Sequence, residues 1–220
     1  LVESAWAAAG DLRPGDEVLL HNHRAAEGWE GAHTEAEGYL LGLLVGDGTL
    51  KTDKAVLSVW APELKVAGGD AYVVPHGVAA VMRAAEVAAA TRPHRADFAG
   101  FQRPIAGRGE ARLASVPLRD LAARLGMRPG HETITPAVEA GSSDFCRGLL
   151  RGLFDADGSV QGTHDKGVSV RLAQSDDTML QAVQRILLRL GIVSTLYRER
   201  RPAGEALLPD GRGGRRADAQ

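Results

Sequence analysis

Apolar and polar positions recur along this chain with two periods, one helical and one extended. After Thr34, with Glu35 and Glu37 in the turn that follows, Leu40, Leu43 and Leu44 recur at helical spacing, which predicts a helix ending at Gly48. A polar turn at Thr52–Lys54 and the strand Ala55–Trp60 read as a hairpin. Val78, Val81, Met82 and Ala85 mark a second helix that Pro93 terminates, and two short strands flank the Gly107–Gly109 turn. A third helix, "PLRDLAARLG", opens on Pro117 and closes at Gly126. Upstream, the Pro14–Gly15 turn feeds a predicted strand at Glu17–Leu20, and an aperiodic linker follows.

The same order then returns. A helix from about Ser143 runs into Asp157 and ends at Gly158, and Val168, Val170 and Leu172 alternate as a strand. A helix capped by Ser175, with Asp176 and Asp177 at its positive end, closes before Gly191, and "IVSTLYRERR" predicts a further strand. The helices ending in "ARLGM" and "LRLGI" occupy matching places, so the first half carries an insertion or an extra helix between roughly 61 and 96. The whole reads as an imperfect but ordered repeat of mixed helix and strand.

At the heart of each copy an apolar run drives straight into an aspartate: "LLGLLVGDGTL" and "LLRGLFDADGSV". Gly42 and Gly46 share a helix face, as do Gly148, Gly152 and Ala156, and rows of small residues let two helices approach closely. If the copies pack on each other, Asp47 and Asp157 emerge side by side at the negative helix ends, where carboxylates are disfavoured and repel one another. A divalent cation between them resolves the conflict, and an oxygen-only donor set suits Mg²⁺ or Mn²⁺. Such a pair can drive phosphodiester hydrolysis. One Asp-Gly step alone is an ordinary turn. Two, each behind the same glycine row, weigh against that.

Composition changes this picture little. The 220 residues include a single cysteine, Cys146, which excludes an internal disulfide framework and a cysteine-based zinc site. Cys146 lies among apolar neighbours and reads as packing. His21 and His23 read as linker residues without a metal partner in sequence. No apolar run approaches the ~20 residues a bilayer needs, and the N-terminal stretch lacks a signal-peptide layout, so a cytoplasmic location and no membrane partner are expected. The formal charge of −2 is unevenly spread: residues 1–50 sum to −7 and the remainder to +5. Eight arginines against three acids lie within 92–128, and six against three within 198–216. Basic residues at strand positions, Lys51, Lys54, Arg103, Arg108 and Arg112 in the first half and Lys166, Arg171, Arg198, Arg200 and Arg201 in the second, suit phosphates as well as a solvated surface, and charge alone does not separate the two.

"LLRGLFDADG" resembles the LAGLIDADG motif almost letter for letter, and "LLGLLVGDG" resembles its degenerate form, 110 residues earlier. Over roughly residues 35–216 the chain resembles a two-motif LAGLIDADG homing endonuclease. The resemblance implies an α+β fold of two pseudo-symmetric αββαββα halves, the motif helices forming their interface and two saddle-shaped sheets straddling the DNA major groove. It implies that Asp47 and Asp157 are the catalytic, metal-binding acids, assisted by the carbonyls of Gly46 and Ala156, with Mg²⁺ (or Mn²⁺) as cofactor. Gly42, Gly46, Gly148 and Gly152 would line the helix interface, and Asp155 would cap or stabilise it. A monomer with internal pseudo-two-fold symmetry is expected.

The flanks are similar to those of inteins. "DLRPGDEVLLHNHR" resembles the end of an N-terminal splicing segment, a short β remnant, and the second-half segments look like bacterial inteins housed in ribonucleotide reductase. This implies a remnant and linker over 1–25, a first endonuclease half over 26–130 and a C-terminally incomplete second half over 131–220, disordered from about 209. Leu1 and Gln220 stand where splicing would need a nucleophile and His-Asn, so splicing is not expected of this chain. The family's usual lysine is also replaced: the segment reads "HETITP", with His131 or Glu132 in its place, and a carboxylate cannot supply that cation. Weakened cleavage, or a binding module without catalysis, is the alternative reading.

Overall fold

The computed structural model describes residues 5–19, 28–60, 64–65, 72–73, 75–103, 109–163, 165, 167–197, 205–209 and 215–219. Helix α1 (Glu35–Asp47) starts on Thr34, whose hydroxyl accepts the Glu37 N–H while the Glu37 carboxylate accepts the Thr34 N–H. This closed capping box is the one the Thr-x-x-Glu spacing encodes. Strand β1 (Gly48–Leu50) follows without a loop, and β2 (Ala55–Trp60) returns antiparallel to it. A small backbone pair, β3 (Leu64–Lys65) with β4 (Tyr72–Val73), precedes α2 (His76–Ala90). Strand β5 (Glu110–Ser115) then joins β2 to give the sheet order β1-β2-β5, and α3 (Val116–Arg124) closes the half.

A short α4 (Pro136–Glu139), invisible to periodicity, leads into α5 (Ser143–Asp157). The hairpin of β6 (Gly158–Thr163) and β7 (Gly167–Leu172) follows, then α6 (Asp177–Arg189), then a hairpin of β8 (Glu205–Pro209) and β9 (Arg215–Ala219). The fold is α+β, and the second half runs αββαββ.

The seam between halves is α1 against α5. A Cβ placed on Gly38 would overlap the Phe145 carbonyl, and one on Gly148 would overlap that of Glu35. Gly42 meets the Leu149 carbonyl in the same way, and Gly152 that of Tyr39. Adding 110 to the first-half member of each contact and subtracting 110 from the second-half member generates the other contact, so the seam is isologous within one chain. Only glycine permits this approach, which brings backbone onto backbone.

The correspondence of the remaining helices differs from the sequence expectation. Arg92, just past α2, pairs with Glu37 at the start of α1. Arg189, at the end of α6, donates to the Gly141 carbonyl (2.9 Å) and to the Cys146 sulfur (2.6 Å) at the start of α5. Helix α6 therefore matches α2, which it also matches in following the first hairpin, and not α3. The ending "RLG" marks shared cap chemistry instead. Gly126 (φ 84°) and Gly191 (φ 77°) both close Schellman motifs, with Met127 N–H on the Ala122 carbonyl and Ile192 N–H on that of Leu187.

Other expectations are corrected as well. No strand forms at Glu17–Leu19: the described N-terminal residues hold only a 3₁₀ turn at Ala9–Asp11 and are exposed, because no neighbouring strand offers hydrogen bonds (Leu20 lies outside the described residues). Ile192–Tyr197 is likewise irregular, with 198–201 outside the described residues. Asp176, not Ser175, caps α6 by accepting the Met179 N–H at 3.0 Å. The stretch expected to be disordered from about 209 includes β9.

The linker's last residues lie across the second half. Trp29 N–H donates to Ser143 Oγ (2.8 Å), its carbonyl accepts the Ser143 N–H (2.9 Å), and Ser142 Oγ donates to the His33 carbonyl (2.9 Å). The Arg189 guanidinium sits over the Trp29 ring, 4.3 Å from its centre. No helix among the described residues is long and apolar enough to cross a membrane.

Candidate functional site

Both seam helices stop the same way. Gly48 N–H closes on the Leu44 carbonyl and Gly158 N–H on that of Phe154, and each chain turns at once into a strand. The carbonyls of Gly46 and Ala156 lie beyond these last intrahelical bonds. Gly46 meets Ala156 across the seam so closely that a Cβ on Gly46 would overlap the Ala156 methyl and stand 3.4 Å from Asp157 Oδ2. The sequence-derived quartet of Gly46, Asp47, Ala156 and Asp157 thus converges at one end of the helix pair.

The electrostatics are unfavourable, as two negative helix ends require. Desolvation holds the Asp157 carboxyl above the usual carboxylate range, the charge of Asp47 adds to the rise, and a hydrogen bond from the Gln174 amide opposes it. Desolvation also raises Asp47, the more exposed of the two. Among the described residues no cluster of three His, Cys, Asp or Glu side chains closes round a point. A cation here would have two carboxylates and main-chain oxygens from the protein, with water or a phosphate completing its shell. That donor set is hard and fits Mg²⁺ or Mn²⁺.

Two site residues escaped sequence reasoning. Gln174, in the loop after β7, donates to Asp157 Oδ2. Nothing in "RLAQSDD" announces it, because its partner is fixed by the tertiary turn. Gly38 was legible, four residues before Gly42 on the same face. Asp155 accepts from Tyr39 O–H across the seam at 2.9 Å, which agrees with its expected interface role. Burial and the adjacent carboxylate push the Tyr39 phenol far up, so it stays a donor.

Glu132 is half-buried and accepts the Leu50 N–H at 2.6 Å, tying the inter-half linker to the end of β1. The carboxylate standing where a lysine was expected therefore has a structural bond of its own.

The basic candidates divide. Lys51 and Lys54 lie in the β1–β2 turn, Arg103 follows the isolated bridge at Gln102, and Arg112 and Arg171 lie on β5 and β7. Arg108, Lys166, Arg198, Arg200 and Arg201 lie outside the described residues, as do His21 and His23. Cys146 is fully buried, and burial raises its thiol, consistent with packing.

Residues 144–210, which hold the second acid motif, match the LAGLIDADG-like domain family. Along 92% of its length the chain is 28% identical to the ribonucleoside-diphosphate reductase NrdEB subunit alpha of Bacillus subtilis (strain 168), and equally to that of Bacillus phage SPbeta. It spans 18% of the length of each of these curated relatives. Among solved structures, it is similar to a crystal structure of I-DmoI in complex with DNA and Mn, at 15% identity and a TM-score of 0.45, covering 74% of this chain and 81% of that one.

Proposed function

We propose that this chain is an intein-type homing endonuclease: a monomer, internally pseudo-symmetric and cytoplasmic, that binds a long double-stranded DNA site and hydrolyses both strands. In this reading 1–25 is the remnant of a splicing segment, 26–130 and 131–220 are the two endonuclease halves, and the host is a ribonucleotide reductase. The observation that carries it is the convergence of Asp47 and Asp157 on the seam axis, each at a negative helix end, with the charge of one raising the other's pKa. A protein gains nothing in stability from this arrangement, so it is suited to holding a cation over a phosphate.

Asp47 and Asp157 would hold Mg²⁺ or Mn²⁺ with the carbonyls of Gly46 and Ala156. A cation bound there activates water and neutralises charge on the scissile phosphate. Gln174 donates to Asp157 Oδ2, the oxygen beside Gly46 across the seam, and so fixes the orientation of that carboxylate. The outer faces of the two sheets, carrying Arg112 and Arg171, would lie along the duplex.

Plasmid carrying the uninterrupted reductase-gene sequence, incubated with the chain and Mg²⁺ or Mn²⁺, should be linearised. Asp47→Asn or Asp157→Asn should each reduce cleavage at least ~100-fold, because removing one charged ligand removes transition-state stabilisation. A retarded band without cutting would favour the second reading, a binding module whose catalysis has decayed. The observation behind that reading is Glu132, engaged on Leu50 N–H and unable to supply a cation.

A further inference from the structure

Strands β2 and β5 alternate, so Leu57 and Leu113 fill the core while Ser58, Trp60, Glu110 and Arg112 share the outer face. Glu110 is only 6% exposed although its face points away from the core. Its carboxylate accepts from Arg112 Nε at 2.7 Å and from Nη2 at 2.9 Å. That two-pronged pair fixes the plane of the guanidinium and offsets its charge. Arg112 Nη1 has no protein partner among the described residues. The arginine of the other sheet is held differently: Arg171 donates from Nε to Ser169 Oγ (3.0 Å) and from Nη1 to Gln161 Oε1 (2.7 Å), both neutral.

The two modes of contacting DNA make opposite demands. A phosphate contact needs net positive charge and tolerates a flexible side chain. Reading a base edge needs donors held in one plane, and a guanidinium matches guanine O6 and N7. Charge offset by a buried carboxylate serves the first poorly and the second well. We propose that Arg112 is a base-reading residue that selects guanine at one position of the target, with Glu110 as its positioning residue. The inference rests on the DNA-binding reading above and sharpens it to one side chain.

The test is selection from a pool of double-stranded oligonucleotides with a randomised core, using the full chain without divalent metal. Arg112→Lys, Arg112→Ala and Glu110→Gln are run in parallel, each first shown to melt cooperatively like the parent. The wild-type consensus should contain a guanine whose preference falls about 10- to 100-fold in Arg112→Lys, which keeps the charge but loses the fork. The other positions and the salt dependence should hold, and Glu110→Gln should relax the same position less. If Arg112→Lys matches wild type while Arg112→Ala weakens all sequences equally and lowers the salt slope by about one, the residue is a phosphate contact and the proposal falls. An unchanged consensus in Arg112→Ala also overturns it, with DNA binding intact. A wild-type chain that enriches nothing and retards no duplex at low salt overturns the DNA-binding reading first.

Discussion

The two halves share a motif helix and a hairpin, yet they bury them unequally. In the first half α1 is enclosed on all sides, with every residue from Glu37 to Val45 buried, and the sheet beneath it presses Leu57 and Leu113 into the core. In the second, α5 turns Arg147, Arg151 and Asp155 to solvent, and the β6–β7 hairpin leaves Val160, Val168 and Val170 at 71%, 64% and 65% exposure. Leu172 alone of that strand packs on the core. The first half owns a core, and the second borrows one through the glycine seam. A symmetric pair of acids does not require symmetric stability, because both acids sit on the shared seam.

That contrast can be broken most severely at the seam itself. Gly42→Ala and Gly152→Ala each force a methyl into a backbone carbonyl of the other half, and each should cost about 3 kcal/mol or more in thermal or urea melts. The second half should lose hydrogen-exchange protection first. Equal loss in both halves would mean that the first is not self-supporting.

Next comes the pair Leu57→Ala and Val170→Ala. Leu57, 1% exposed, should cost ~2–5 kcal/mol and Val170 within ~0.5 kcal/mol. A Val170 cost near that of Leu57 would show that the second sheet's apolar face is covered in solution, and the comparison would fail.

The smallest effect is a pH dependence confined to the second half. The Arg185 hydrogen bonds hold the Glu139 carboxyl below its ordinary value of 4.5. A depressed carboxylate stabilises the fold above its unfolded pKa and loses that contribution as pH falls through the folded value. The pair links α4 to α6 and is partly exposed, so Glu139→Gln should shift Tm by a degree or two at pH 7 and by less at pH 3. An equal shift at both pH values would assign the effect to packing.

What could be read in advance was what local chemistry writes down. Thr34 with Glu37 encodes a capping box, and the doubled glycine row with its terminal aspartate encodes the seam and the acids. Residues whose role depends on distant partners were not legible: Gln174 beside Asp157 and Glu132 on Leu50 N–H. Strands misled for the same reason, since Glu17–Leu19 and Ile192–Tyr197 have strand composition but a strand exists only where a neighbour supplies hydrogen bonds. The repeated "RLG" misled differently. It encodes a cap and says nothing of where the helix sits.

The strap at Trp29 has a mechanical corollary. The polypeptide ahead of α1 is contiguous with the first half, but it is moored by Trp29, Ser142, Ser143 and Arg189 to the second. A pull on residues before Gly28 is therefore delivered first to α5 and α6, across the joint, and not to α1. The chain's own leader works as a tie-beam over the end of the helix pair remote from its acids.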